Sequence, residues 1–254
     1  MRLRELLGRS MLVGELDGRR VLVTGASSGI GEGTARELAA AGARVACIAR
    51  RRERVESLAE EVGGFAVEAD VADEAAARRA VDEATEALDG LDAVLNIAGV
   101  QLLAPFSDGR SDEWRTLLDV NVFGLCVVTH QALGYLREAG GGDIVNMSSI
   151  AGRRVTGSDG AVYSGTKFAV HAISEAIRRE LHGEGIRVMI VSPGWVNTEL
   201  GQNMADEGIR DQLQKRQEEI GLDPREVGRQ IVHALAQPRH LMLHEIAIMA
   251  IGED

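Results

Sequence analysis

Short, unbroken apolar runs recur along the chain at 21–23, 45–48, 65–67, 93–97, 144–147, 188–191 and 241–251. They are rich in β-branched residues and do not alternate with polar ones, the pattern of strands covered on both faces of a parallel sheet. Between them the period lengthens to that of a helix, at 31–41, 73–88, 111–137, 160–181 and 224–235. Ser111 suits a helix cap, and Asp223-Pro224 supplies a cap followed by a first-turn proline. Seven strands alternating with helices predict βαβ units wound into one mainly parallel α/β sheet with helices on both faces. Low-complexity tracts, repeats and linkers are absent from the sequence. A single domain over 19–254 is therefore expected, behind a short extension at 1–18. The least regular stretch, 199–222, follows the sixth strand, at the sheet edge where open α/β folds bind ligands. It is expected to be a mobile lid over a substrate; a short surface helix pair is the alternative.

Composition narrows the class. The 254 residues, 45% of them apolar, are ample for one such domain. A net charge of −11, from 28 basic and 39 acidic residues, argues against a nucleic-acid partner. An aromatic content of 3% argues against stacking platforms for single strands. Cys47 and Cys126 lie in apolar runs and form neither a metal spacing nor a disulfide framework. They read as small buried hydrophobes, and no metal is expected. No run approaches the ~20 uninterrupted apolar residues of a membrane span, and the N-terminus lacks a long apolar signal core. The expected location is the cytoplasm, without a membrane partner.

Chemistry enters at the first strand. Thr24-Gly25-Ala26-Ser27-Ser28-Gly29-Ile30-Gly31 joins an apolar strand to a helical pattern. Glycines there allow a tight turn whose N–H groups approach a pyrophosphate seated on a helix N-terminus. The second strand ends in Ala49-Arg50-Arg51-Arg52, where a carboxylate would accept the ribose hydroxyls of NAD. Arginines instead suit a 2′-phosphate, so NADP(H) is the expected cofactor, with Arg50 and Arg51 as its binders. Arg52 and Arg54 read as a solvated helix start. After the third strand, Asp70-Val71 is expected beside the adenine, with Asp70 accepting from the amine.

Tyr163 and Lys167 lie four residues apart and share one helix face. A nearby ammonium and the positive nicotinamide both favour the phenolate and are expected to lower the Tyr163 pKa toward the range of an acid/base catalyst. The fifth strand runs out into Ser148-Ser149, either of which offers a hydroxyl to orient a substrate oxygen. Asn121 is a lone polar side chain in an apolar helical run. It reads as a buried amide satisfying backbone, or as the holder of a water that passes protons to Lys167.

Five segments in order carry a family resemblance: Thr24–Gly31; Asn96-Ile97-Ala98-Gly99; Asn121; Ser149 with Tyr163 and Lys167; and Pro193-Gly194-Trp195-Val196-Asn197-Thr198. Over nearly its whole length the chain resembles the short-chain dehydrogenase/reductases. The resemblance implies a Rossmann-type fold and a catalytic tetrad of Asn121, Ser149, Tyr163 and Lys167. It also implies that Tyr163 and Lys167 hold the nicotinamide ribose and that Val196 and Thr198 bind the carboxamide. The remaining cofactor contacts it implies are Gly25, Ser27, Ser28, Gly29, Ile30, Gly31, Asn96, Ala98, Gly99, Pro193 and Gly194. The chain is most similar to bacterial NADP-dependent members acting on 3-hydroxy acids, small aldehydes and antibiotic intermediates, and a homodimer or homotetramer is implied. Two departures stand out. Ile97 replaces a usual asparagine, and Ser149 lies 14 residues before Tyr163, one more than usual, which leaves Ser148 as an alternative.

The implied activity interconverts a carbonyl and its alcohol by hydride transfer. Two other readings of the same residues stay open: a cofactor-binding scaffold or regulator without turnover, and an epimerase- or dehydratase-like enzyme that uses the cofactor transiently.

Overall fold

A computed structural model describes residues 15–202 and 204–253. Seven strands form one sheet in the order β3-β2-β1-β4-β5-β6-β7, every neighbouring pair parallel. They are β1 (Arg20–Thr24), β2 (Arg44–Ala49), β3 (Phe65–Glu68), β4 (Ala93–Asn96), β5 (Gly142–Met147), β6 (Ile186–Pro193) and β7 (Glu245–Ile248). The chain winds outward from β1 to β3, then restarts beside β1 at β4. This leaves a crevice where the two directions part, above the C-terminal ends of β1 and β4.

Alternate residues of the central strands feed two separate cores. Val21, Val23, Val45, Cys47 and Val145 face α1 (Gly29–Ala40) and α8 (Pro224–Ala236), whose Val227, Ile231 and Val232 are wholly buried. Leu22, Ala46, Val94, Ile144 and Val188 face α3 (Glu74–Leu88) and α5 (Leu125–Glu138) on the other side. That two-sided burial explains why the strands read as continuous apolar runs. The remaining helices are α2 (Arg52–Val62), α4 (Ser111–Leu118), α6 (Ala161–Glu180) and α7 (Glu207–Ile220).

Four local features differ from the sequence expectation. Residues 15–18 belong to the fold rather than to an extension: Leu16 is buried and its N–H donates to the Ala41 carbonyl. Positions 1–14 of the expected extension lie outside the described residues. The long helix over 111–137 is continuous in direction, but between α4 and α5 it widens into a π turn at Asp119–Gly124. The stretch 199–222 is more regular than expected from residue 207 on, where α7 forms. Asp206 caps α7 by accepting from the Ile209 N–H, and Leu213 and Gln217 are buried beneath it. β7 is shorter than the run 241–251 because only Ile190–Pro193 of β6 pair with it.

Among the described residues one helical run, Ser111–Glu138, has the length and mean hydropathy (1.3) to cross a membrane. Half of its most apolar window is buried inside the domain. At the N-terminal ends of the strands, opposite the crevice, the buried Asp143 carboxylate meets three guanidiniums, from Arg19 (2.5 Å), Arg187 (2.6 Å) and Arg239 (3.2 Å). Arg187 also donates to the carbonyls of Leu235, Gln237 and Leu241, fastening the segment after α8 to the sheet.

Candidate active site

One cleft of about 790 Å³ runs along the C-terminal ends of the strands. Its floor is the turn after β1. Gly25 (φ 71°) and Gly29 (φ 56°) take the left-handed conformation that glycine adopts without strain. A Cβ on Gly25 would come within 2.7 Å of the Ala98 Cα, and one on Gly31 would fall on the Gly25 carbonyl oxygen. Glycine here lets the turn pass close to its neighbouring backbone between strand and helix. Ser27, Ser28 and Ile30 line the same floor. Thr24 stitches this turn to the crevice: its hydroxyl accepts from the N–H groups of Ile97 and Ala98, each at 3.1 Å.

At one end of the cleft stand Arg50, Arg51, Asp70 and Val71. Their side chains are not equivalent. Arg50 pairs with Asp70 at 3.5 Å, whereas Arg51 donates to Ser27 (3.0 Å) and Ser28 (2.5 Å) on the glycine turn. Arg54, which the sequence assigns to a solvated helix start, instead joins Arg51 in binding the Glu199 carboxylate. Asp70 is also committed locally, accepting from the Ala72 N–H at 3.0 Å.

The other end holds Ser149 and Tyr163, with Pro193, Gly194, Val196 and Thr198 on the facing wall. Ala98 and Gly99 line the middle. Ser149 Oγ accepts from the Ala151 N–H (3.1 Å) and donates to the Pro193 carbonyl (3.4 Å). Ser148 faces away: its hydroxyl donates to the Lys167 carbonyl at 3.0 Å and the residue is buried. Tyr163 is only 5% exposed, and Lys167 Nζ lies 5.9 Å from its ring centre. The Lys167 ammonium is itself buried and donates to the Met147 carbonyl at 3.1 Å.

Burial dominates the electrostatics of this pair. It pushes the Tyr163 phenol up to about 12, the hydrogen bond with Ser149 pulling the other way, and it pulls the Lys167 ammonium down to about 8. The lowered phenol pKa expected from the four-residue spacing is therefore not produced by the protein's own groups. Loss of hydration penalises the charged phenolate, and the Ser149 hydrogen bond returns only part of that cost.

Three expected site residues lie behind the cleft wall. Lys167 and Asn121 sit under Gly99, where a Cβ would come within 3.6 Å of Nζ and 3.3 Å of Oδ1. Asn121 accepts from the Val100 N–H (2.8 Å) and donates to the Val100 carbonyl (3.0 Å) and to Thr166 (3.2 Å). The π turn carries the Asn121 side chain to this position, as such widenings often do at functional sites. Its amide satisfies backbone, one of the two roles its isolation suggested. Asn96 also lies behind the wall. Its amide donates inward to Thr129 and Asn146, both at 2.8 Å, so the side chain belongs to the core between β4 and β5 and not to the cofactor cleft.

Two acids escaped the sequence reading. Glu199 reaches Arg51 across 148 residues, and Glu253 accepts from the Trp195 N–H (3.1 Å) while its carboxylate fills the space that a side chain on Gly194 would take. Neither lies in a periodic or motif context, so only the folded arrangement exposes them. His171 stands outside the cleft lining, with Nε2 3.3 Å from the buried Ser192 hydroxyl and Nδ1 3.6 Å from Glu245. Among the described residues no cluster of His, Cys, Asp or Glu has the arrangement of a metal site.

The glycine cradle, in a cleft lined by both Arg51 and Tyr163, fits a dinucleotide. Comparison with known proteins agrees with that geometry. The family model described as short chain dehydrogenase matches residues 19–208. An uncharacterised oxidoreductase of Staphylococcus aureus is 34% identical over 236 residues, covering 91% of this chain and 96% of its own. A glycine betaine reductase of Emericella nidulans is 38% identical over 241 residues; the match covers 92% of this chain but only 19% of that longer protein. Among solved structures, the closed form of a serine dehydrogenase complexed with NADP+ superposes with a TM-score of 0.84 at 30% identity, covering 92% of this chain and 96% of that one. The doubly wound sheet, the glycine turn and these matches together make this chain a member of the short chain dehydrogenase family.

Proposed function

We propose that this chain is an NADP(H)-dependent oxidoreductase that interconverts a carbonyl (a ketone, an aldehyde or a 3-oxo compound) and the corresponding alcohol. The observation that carries the reading is one continuous cleft with guanidinium groups at one end, a glycine cradle in the middle and a Ser149–Tyr163 pair at the other. The NADP-bound structural relative supports the choice of cofactor.

When bound, NADP(H) supplies or accepts the hydride, and its oxidised ring adds a positive charge. The turn from Gly25 to Gly31 would hold the pyrophosphate, Arg51 the 2′-phosphate, and Asp70 with Val71 the adenine. The backbone of Ala98 and Gly99 would support the middle of the cofactor, and Pro193, Gly194, Val196 and Thr198 the carboxamide end. Ser149 orients the substrate oxygen, and Tyr163 gives that oxygen its proton in reduction and takes it in oxidation. Lys167 acts beneath them, holding the ribose with Tyr163 and favouring the phenolate. Asn121 keeps Val100, and with it Gly99, in register.

A homodimer or homotetramer goes with this reading. Its support is a set of exposed apolar side chains on adjoining elements: Leu118 at the end of α4, Phe123 in the π turn and Phe168 on α6. The direct test is consumption of NADPH and NADH against a panel of ketones, aldehydes and 3-oxo acids. Oxidation of NADPH in preference to NADH supports the reading, whereas tight NADPH binding with no turnover on any carbonyl favours the scaffold role.

A further inference from the structure

At the adenosine end of the cleft the anion held by the arginines is the protein's own. Glu199 follows Thr198 at the root of the segment leading to α7. Its carboxylate lies 2.6 Å from Arg51 Nη1 and 2.8 and 2.9 Å from Arg54 Nη1. The remaining polar edge of Arg51 is taken by Ser27 and Ser28 on the glycine turn. Arg51 therefore links the phosphate cradle to the start of the lid segment, and Glu199 lines the same cleft as the serines. The two arginines hold its carboxyl below the usual carboxylate range.

From this geometry, and resting on the NADP(H) reading above, we infer that Glu199 is a specificity-determining residue that occupies Arg51 and Arg54 until a 2′-phosphate displaces it. A phosphate bound by Arg51 brings about two negative charges to the place where the carboxylate sits. The two anions repel at that range, so Glu199 must leave and the lid root is freed with it. A cofactor bearing only ribose hydroxyls brings no anion and leaves the Glu199–Arg51 pair standing. The pair is removable because both partners are partly in water, with side chains 43% and 40% exposed, where such pairs are worth little. Glu199 thus taxes every 2′-phosphorylated ligand by the cost of breaking the pair and leaves unphosphorylated ones untouched.

Calorimetric titration of 2′,5′-ADP and of 5′-AMP isolates the 2′-phosphate from the rest of the cofactor. E199Q keeps the shape and removes the charge. It is expected to tighten 2′,5′-ADP by about two- to five-fold, the range of an exposed ion pair, and to leave 5′-AMP within error. In an R51A/R54A background the same substitution is expected to do nothing. Three results overturn the inference: no change in 2′,5′-ADP affinity, equal tightening of both ligands, or an effect that persists without the two arginines. Failure of the cofactor reading looks different. In that case wild type binds both ligands equally and R51A alters neither.

Discussion

The hydroxyl of Ser148 donates to the carbonyl oxygen of Lys167 at 3.0 Å, so of the two adjacent serines only Ser149 has its side chain beside the Tyr163 phenol. Ser148 serves instead as a tie between the end of β5 and the helix that carries Tyr163. The two alanine substitutions are expected to separate. S149A lowers kcat/KM by about 10²- to 10³-fold, the cost of losing one polarising donor. S148A leaves kcat/KM within a few-fold and lowers unfolding free energy by about 1 kcal/mol, since it removes one buried hydrogen bond while the Lys167 carbonyl keeps its partner within the helix. Steady-state kinetics and denaturant unfolding of both variants check this.

The glycine turn is a steric requirement as well as a flexible one. A Cβ at Gly31 would meet the backbone oxygen of Gly25, which has no side-chain freedom with which to yield. G31A is expected to destabilise the fold by about 1–3 kcal/mol and to weaken NADPH binding at least ten-fold. Thermal unfolding and a binding titration measure the two effects separately.

The buried Lys167 predicts a pH dependence of stability whose sign follows from its shift. Its ammonium titrates near 8 in the folded protein and near 10.5 when unfolded. Between those values the unfolded chain binds the extra proton, so this residue makes stability rise with pH across that window. Relative to K167M, which carries no titrating group there, wild type is expected to gain about 2–3 kcal/mol from pH 7 to pH 10. Urea unfolding of both proteins at the two pH values tests it. The Tyr163 phenol, raised to about 12, acts oppositely above pH 10 and is common to both proteins.

Phe123 and Phe168 are both 43% exposed, an unusual state for large apolar side chains. The double substitution F123E/F168E is expected to shift the protein to a smaller species in light scattering, with little loss of monomer stability. An unchanged mass would place any subunit contact elsewhere.

Much of this fold is written in local pattern. The strand runs are continuous because both sheet faces are covered, and each but the last is followed by a helix, so order and direction follow from short-range rules. The glycine turn and the Tyr163–Lys167 spacing are equally local, and both lie where the motifs put them. What local pattern hides is the direction of a polar side chain at the end of a strand. Asn96 and Ser149 both stand just where a strand meets the cleft, yet one is turned into the core by Asn146 and Thr129 and the other faces the opening. Glu199 and Glu253 are hidden for a different reason: their partners Arg51 and Trp195 are distant in sequence and are brought near only by the tertiary fold. The burial that reverses the expected Tyr163 shift is likewise a property of packing, not of spacing.

The proposed function assigns Tyr163 as the acid/base of a carbonyl–alcohol interconversion. Y163F removes one hydroxyl from a side chain that is already buried, so the cleft and the cofactor cradle keep their shape. The decisive measurement is NADPH oxidation by wild type and Y163F on the best carbonyl of the panel, with NADPH affinity measured in parallel. The account predicts a loss of turnover of at least about 10²- to 10⁴-fold with NADPH affinity within a few-fold. Turnover in Y163F within ten-fold of wild type would contradict it.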